Sequence, residues 1–454
     1  MATDIERKFQ SVVNAFNYIR TLEGYSADSG AFQGELKELR EELKRGVLTD
    51  GHLSVIRKEI LLSHPAFNNN ILLIERNQYP PDHHNTATLF QKGEINESSY
   101  TPGAKMILTN LRTGRKEVLL ATSEGVIRDP EISSSAREIV FSFRKNKSDA
   151  YHIYKTDISG NELQQLTFAK GISDIDPLFL PDGGIVFSST REPKYCMCNR
   201  HIMANLFRMD GDGANIIQIG KSTLFEGHPT LLNDGRILYD RWEYVDRNFG
   251  DAQGLWTVNP DGTNHWIYYG NNMSSPGAVI DGRAIPGTNN VVAVFSSCHD
   301  RPWGAIAIVN RSKGVDGKKS VEYIWPGEAY DKIGVGNWDK FMELDIRYED
   351  PYPVDDKLFL VSGTIEAADR EESVVNRRSG IWILDVFGNK ALVYEGERSA
   401  FDPILIRKSA TAPVIPAVTD FGSETGFFSG EPTTLRYLTV PGSTPFICVP
   451  SYTF

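Results

Sequence analysis

Seven prolines, Pro65, Pro130, Pro177, Pro229, Pro286, Pro351 and Pro403, stand 65, 47, 52, 57, 65 and 52 residues apart. They mark a recurring unit: a polar residue plus proline in all but Pro286, which follows Ile285, then a tract often containing Asp-Gly, an apolar stretch ending near an arginine, a loop, a second apolar stretch, a tight turn and a third. The units beginning at Asp176 (DPLFLPDGGIVFSSTR, then NLFRMDGDGANIIQIG) and at His228 (HPTLLNDGRILYDRW, then GLWTVNPDGTNHWIYYG) show it in full. Short runs of Ile, Val, Leu, Phe and Tyr between Asp-Gly turns, which tolerate positive φ, read as antiparallel hairpins. A unit of four short strands cannot bury both of its faces alone, so such units stack around an axis. The expected fold is all-β, a six-bladed β-propeller. A seventh start, FDPILIRK, lacks its later strands and keeps seven blades as the alternative.

The flanks read differently. Residues 1–60 carry helical spacing (FQSVVNAFNYIRTL, GELKELREELKRG) and are expected to form an N-terminal helical arm. Residues 61–408 are assigned to the propeller. Residues 409–454, rich in Pro, Thr, Gly and Ser, are read as an irregular tail or the truncated opening of a further domain.

Forty-eight Lys and Arg against 59 Asp and Glu give a net charge of -11, the wrong sign for gripping phosphate backbones, so nucleic acid is not an expected partner. No apolar run reaches the roughly 18 residues of a membrane helix, and MATDIERKFQSVVNAF lacks the apolar centre of a secretory signal.

Connections within each unit divide by length. The turns PDGG, NDGR, DGDG and PDGT are tight, whereas the loops EPKYCMCNRHIMA, EYVDRNFGDAQ and HDRPW and the unit-to-unit linkers are long. Because strands alternate in direction, the long connections share one face, and loops on a rigid scaffold are where binding and chemistry concentrate. His83, His84, His201, His228 and His299 belong to these loops or their edges. A thiolate and imidazole cluster of Cys196, Cys198, His201, His228, Cys298 and His299 is the candidate metal site, for Zn²⁺ or another divalent ion. The bland alternative is semi-buried small cysteines and histidines bonded to neighbouring loops. Arg241, Glu243, Tyr244, Asp246 and Arg247 around Trp242, with Asp300 and Arg301, form the candidate ligand-binding set, since arginine offers a planar fork to a carboxylate or sugar. Arg76, Arg144, Arg191 and Arg241 recur at the same point of successive units, which favours a structural arginine bridging adjacent blades. FSSCH carries Phe295 where a c-type haem motif needs its first cysteine, so covalent haem attachment is not supported. No G-x-S-x-G, Walker, Rossmann or H-E-x-x-H motif marks catalytic residues.

DPLFLPDGGIVFSSTR, NLFRMDGDG, HPTLLNDGRILYDRWEYVDR and LWTVNPDGTN resemble the TolB-like propeller repeat. More narrowly, the chain resembles the propeller region of proteins related to the hydrazine synthase alpha subunit, over about residues 55–428, with RWEYVDR and LNDGRILY the most specific parts. The resemblance implies the propeller fold and a periplasmic or secreted setting. The family's haem domains have no counterpart here, so its redox chemistry is not carried over. The functional expectation is a binding or scaffold propeller recognising a protein partner or small ligand on the long-loop face. The alternative is a metal-dependent lyase of acidic oligosaccharides, with His201, His228 and His299 as ligands and Arg241 or Arg247 on the uronate.

Overall fold

The structure is a computed structural model that describes residues 3–27, 29–80, 84–88, 100–192, 194–196, 202–243, 253–270, 272–365 and 373–418. Cys198, His201, Tyr244, Asp246 and Arg247 lie outside the described residues.

Among the described residues the strands form four sheets of four strands and one of eight. The eight-stranded sheet is two four-stranded units joined by one residue pair, Gly304 with Tyr348. The innermost strands of the successive units are Ser399–Leu405, Val126–Ile132, Asp174–Phe179, Phe225–Leu231, Ala278–Ala284 and Tyr348–Pro353. Each packs against the next, and Tyr348–Pro353 packs against Ser399–Leu405, closing the ring. FDPILIRK therefore opens no unit of its own: it belongs to Ser399–Leu405, which pairs antiparallel with Ile71–Arg76 and supplies the inner edge of the first sheet. Joining the last described strand to the first sheet leaves no open seam between first and last units.

The repeat's polar residue sits where each inner strand bulges. Asp129, Asp176, His228, Asp281, Asp350 and Asp402 all have φ between 45° and 53°, and the pairing register shifts at each of these positions. A bulged residue in the left-handed region favours Asp, Asn or His over other non-glycine residues. This relocates two of the marking prolines. Pro65 lies in a 3₁₀ turn before strand Ile71–Arg76, and Pro286 follows strand Ala278–Ala284, where the in-register pair is Asp281-Gly282.

The bulges also join the units. An Asp129 oxygen accepts from the Asp176 backbone N–H (3.4 Å), Asp176 from the His228 N–H (3.0 Å), and Asp350 from the Asp402 N–H (3.0 Å). Between the fourth and fifth units, where His228 replaces the carboxylate, the Thr230 hydroxyl donates to the Gly282 carbonyl at 2.5 Å.

Three helices precede the sheets. Helix α1 (Asp4–Ile19) opens with a capping box, Thr3 accepting from the Glu6 N–H while the Glu6 carboxylate accepts from Thr3, and buries Phe9, Val12, Phe16 and Ile19 on one face. Helix α2 spans Ser29–Arg45, and α3 (Asp50–Leu62) buries Leu53, Ile56 and Ile60. These faces share one core with Leu358, Leu360, Ile381 and Ile383 of the sixth unit and Ile71 and Leu73 of the first. Asp355, in the tight turn after the sixth inner strand, locks the arm in place: it accepts from the Tyr18 hydroxyl (2.7 Å) and bonds His64 Nε2 (2.9 Å).

Burial alone would raise the Asp355 carboxyl, but its bonds to His64, Lys357 and Tyr18 outweigh it and hold the carboxyl below its ordinary value. A depressed folded pKa contributes stability above the unfolded value and loses it as pH falls through the folded one. Asp355→Asn is expected to cost about 1–3 kcal/mol at neutral pH and to expose the arm to limited proteolysis. As pH falls through the lowered folded pKa of Asp355, the variant and the parent should converge in thermal melts.

Candidate functional site

The described parts of the long connections of five units meet on one face. Tyr79 from the first unit, Tyr151 from the second, Cys196 and Met203 from the third, Trp242 from the fourth and Cys298 from the fifth pack into one buried cluster over the end of the channel. The segment from the first unit crosses to the fifth: the Asn85 N–H donates to the Cys298 carbonyl (2.9 Å), and its side-chain amide donates to the Ser297 carbonyl (2.7 Å) and to Gln253 (3.2 Å).

That crossing carries His84 to Cys298 and His299. The ligand atoms of the three residues lie within 4.8 Å of one another. His84 Nδ1 is 3.7 Å from Cys298 Sγ, and the His84 ring stacks on His299 at 5.3 Å and meets Trp242 edge-on at 4.8 Å. Behind them, Asp339 accepts from the His299 N–H (3.1 Å) and bonds His299 Nδ1 (2.6 Å). Holding Nδ1 on a carboxylate leaves Nε2 as the nitrogen that can ligate, the outer-shell arrangement of histidine metal sites. The backbone under the thiol is tight. Cys298 N–H donates to the Trp338 carbonyl (3.0 Å), and a Cβ on Gly277 would stand 2.1 Å from that carbonyl oxygen. One thiolate and two imidazoles suit Zn²⁺ or another borderline-soft ion.

The proposed metal residues therefore separate. Cys298 and His299 come together, joined by His84, a loop histidine that the sequence does not mark as a ligand. Cys196 is buried in the apolar cluster beside them. His228 is elsewhere: its Nδ1 bonds Asp240 at 2.5 Å in the channel wall, so it does not converge with His299.

The described members of the ligand-binding set, Arg241, Glu243, Asp300 and Arg301, are engaged within the fold. Asp300 and Arg301 are buried. Asp300 accepts from Trp303 Nε1 (2.8 Å) and pairs with Arg347, joining the fifth unit to the strand that opens the sixth, while Arg301 lies over the Trp303 ring at 4.6 Å. Arg241 pairs with Glu243 (2.8 Å), approaches Glu226 at 4.0 Å and covers Trp256. Of the recurring arginines, Arg191 and Arg76 find partners in their own sheets, Arg191 on Asp174 and Arg76 on Phe401 at 3.8 Å, whereas Arg144 of the second unit lies over Tyr100 of the first at 4.6 Å.

Below the cluster, carboxylates crowd the channel. Burial and the neighbouring Asp129 push Asp176 up to about 7, and burial raises Asp281 to about 6. Burial and Asp350 raise Glu349 to about 8. Burial opposes the charge on His228, but Asp240 and Asp176 outweigh it and raise the ring to about 10. The wall thus binds protons that the same residues would release in water.

These features define the class: a β-propeller with a histidine and thiol cluster on its elaborated face. The chain is similar to hydrazine synthase from Kuenenia stuttgartiensis, with 17% identity and a TM-score of 0.59 over 86% of this chain and 52% of that one. It spans about half the length of that relative. TolB from Acinetobacter baumannii is similar at 13% identity and a TM-score of 0.47, over 77% of this chain and 70% of that one. The TolB-like propeller resemblance stands at the level of fold. No family model and no curated protein matches the chain.

Glu349 accepts from Gln78 (2.9 Å) and is nearly fully buried. Its folded pKa lies above the unfolded one, so its contribution is complete below about pH 4.5 and is lost as pH rises through about 8. Glu349→Gln is expected to remove part of the parent's loss of stability across that window, leaving the variant more stable at pH 9 by on the order of a few kcal/mol. Denaturant melts at pH 5 and pH 9 check it, and an unchanged difference between the two pH values refutes it.

Proposed function

We propose that this protein is a β-propeller binding scaffold whose long-loop face carries a thiolate–imidazole metal centre, and that a protein partner or small ligand docks on that face. The observation that supports this reading most directly is the convergence of His84 with Cys298 and His299, residues 214 apart or more in the chain, behind one carboxylate, Asp339. A distant loop brought across the disc to place an imidazole against a thiol fits a site better than a chance contact. The half-exposed Tyr195, next to Cys196, adds an aromatic anchor of the kind binding faces use.

His84, Cys298 and His299 would hold the ion, with the fourth position left to solvent, a partner residue or a ligand. A bound Zn²⁺ supplies a Lewis acid there and depresses the pKa of a coordinated water. The protein's own part is to fix the imidazole orientation through Asp339 and to exclude water with Trp242 and its neighbours. No described helix is long and apolar enough to cross a membrane. The reading places the protein in the periplasm or outside the cell, following the TolB-like resemblance. The lyase alternative requires His228 beside His299, and the His228–Asp240 pairing in the channel weighs against it.

Equilibrium dialysis against Zn²⁺ with elemental analysis tests the proposal. The expected result is one ion per chain, lost in Cys298→Ala and weakened at least about tenfold in Asp339→Asn. Failure of the parent to take up zinc, or full zinc retention by both variants, overturns it.

A further inference from the structure

The channel is not a continuous bore. Val126–Ile132 of the second unit and Ala278–Ala284 of the fifth stand opposite each other in the ring. Arg283 of the fifth reaches across to Glu131 of the second at 3.0 Å. Burial works against the Arg283 charge, but Glu131 and Asp281 outweigh it and keep the guanidinium protonated. Tyr352 lies against the bar, its ring 5.9 Å from the guanidinium. Both residues of the bar line two separate cavities. On the long-loop side is a space of about 70 Å³ walled by the bulged aspartates, and on the tight-turn side a chamber of about 520 Å³.

The larger chamber has a built roof. After strand Ser399–Leu405 the chain turns back over the disc instead of departing. Arg407 donates to the Val354 carbonyl (2.6 Å), the Ser409 N–H to the Ser134 carbonyl (3.0 Å), and the Val418 N–H to Asp261 (2.7 Å). The segment 406–418 thus spans from the sixth unit past the second to the fourth.

The composition of the chamber identifies what it suits. Leu178, Leu180, Leu231 and Leu232 from the third and fourth units give apolar walls, Tyr352 an aromatic one, and Ala410 and Ala412 a small-residue roof. The charged groups are Arg283 and Arg407 against Glu131, a positive balance inside a chain whose net charge is -11. The volume is that of a site for one small organic molecule, and the guanidinium of Arg407, on the roof, is the fork that can face an anionic group. We propose that this chamber is a second binding site, on the face opposite the thiolate–imidazole cluster, for a small organic anion with an apolar aromatic body. Arg283 forms the charged floor, Arg407 engages the anion, and the leucines take the ring.

The probe is 8-anilino-1-naphthalenesulfonate, an aromatic anion, titrated by fluorescence into the native full chain. The expected result is saturable binding of one probe per chain. Arg407→Gln should weaken it about tenfold, the scale of one charged hydrogen-bonding partner. Ala412→Trp, which fills the chamber from a segment outside the sheets, should abolish it with the melting temperature unchanged. N-phenyl-1-naphthylamine, the same aromatic body without the sulfonate, should bind at least about tenfold more weakly. Non-saturable binding, parent-like affinity in Ala412→Trp, or equal affinity for the uncharged probe each overturns the proposal. Zinc uptake at the other face is unaffected by these variants, so failure here and failure of the metal centre are separable.

Discussion

The structure depends on a carboxylate in one inner strand accepting from the backbone N–H of the next. Asp129 to Asp176, Asp176 to His228 and Asp350 to Asp402 repeat this link around the channel. A bulged residue at positive φ turns its amide toward its neighbour, where the regular ladder would have consumed it. The aspartate therefore does two jobs with one residue: it tolerates the left-handed backbone, and it accepts from an amide in the adjacent unit, at Asp176 sharing that amide with the Ser142 hydroxyl. The following proline, fixed in φ and lacking an N–H, suits a strand position where the ladder is already broken.

Concentrating such residues at the axis has an electrostatic consequence. Carboxylates with few compensating cations face one another in a narrow space, and their burial disfavours ionisation. The ring responds by taking up protons at Asp176, Asp281 and Glu349 and by holding His228 as a cation between Asp176 and Asp240. The Arg283–Glu131 bar belongs to the same balance: a cation from one side of the ring neutralises an anion from the other. The transverse pair divides the bore as a by-product of satisfying its own charges.

The fold was legible because its determinants are local. Asp-Gly turns, short β-branched runs and the Asp-Pro pair each act within a few residues, and each recurs. Where the reading slipped, a local feature imitated the repeat: Pro65 and Pro286 are prolines near, but not in, inner strands, and the incomplete FDPILIRK had its partner strands at the other end of the chain. The site was legible only in part. Cys298 and His299 are adjacent and sit on a long loop, and that placed them. His84 lies 214 residues from Cys298 and reaches it only because the Asn85 amide and side chain tie that crossing to 297 and 298. No spacing rule reports a tertiary crossing. His228 is a different case: its sequence neighbours mark it as the repeat's bulge residue, and the structure gives it a positive φ and a bond to Asp240, apart from Cys298 and His299.

This division of labour explains how a chain 17% identical to hydrazine synthase can share its fold. The ring needs a bulge residue, a turn glycine and alternating apolar positions per unit, a small fraction of each repeat, while the remaining positions answer only to packing volume and tolerate exchange. Loops on the elaborated face are bound by none of these requirements. A connection can lengthen until it crosses the disc, as the one carrying His84 does, without disturbing a single inter-unit link, because the links sit at the axis and the loops begin beyond the ends of the strands. The same freedom operates at the other face, where the segment after the last strand lies across the channel end, held by hydrogen bonds to turns whose shape the repeat has already set. Chemistry specific to this chain therefore has two places to accumulate, and the axial links keep each independent of the other.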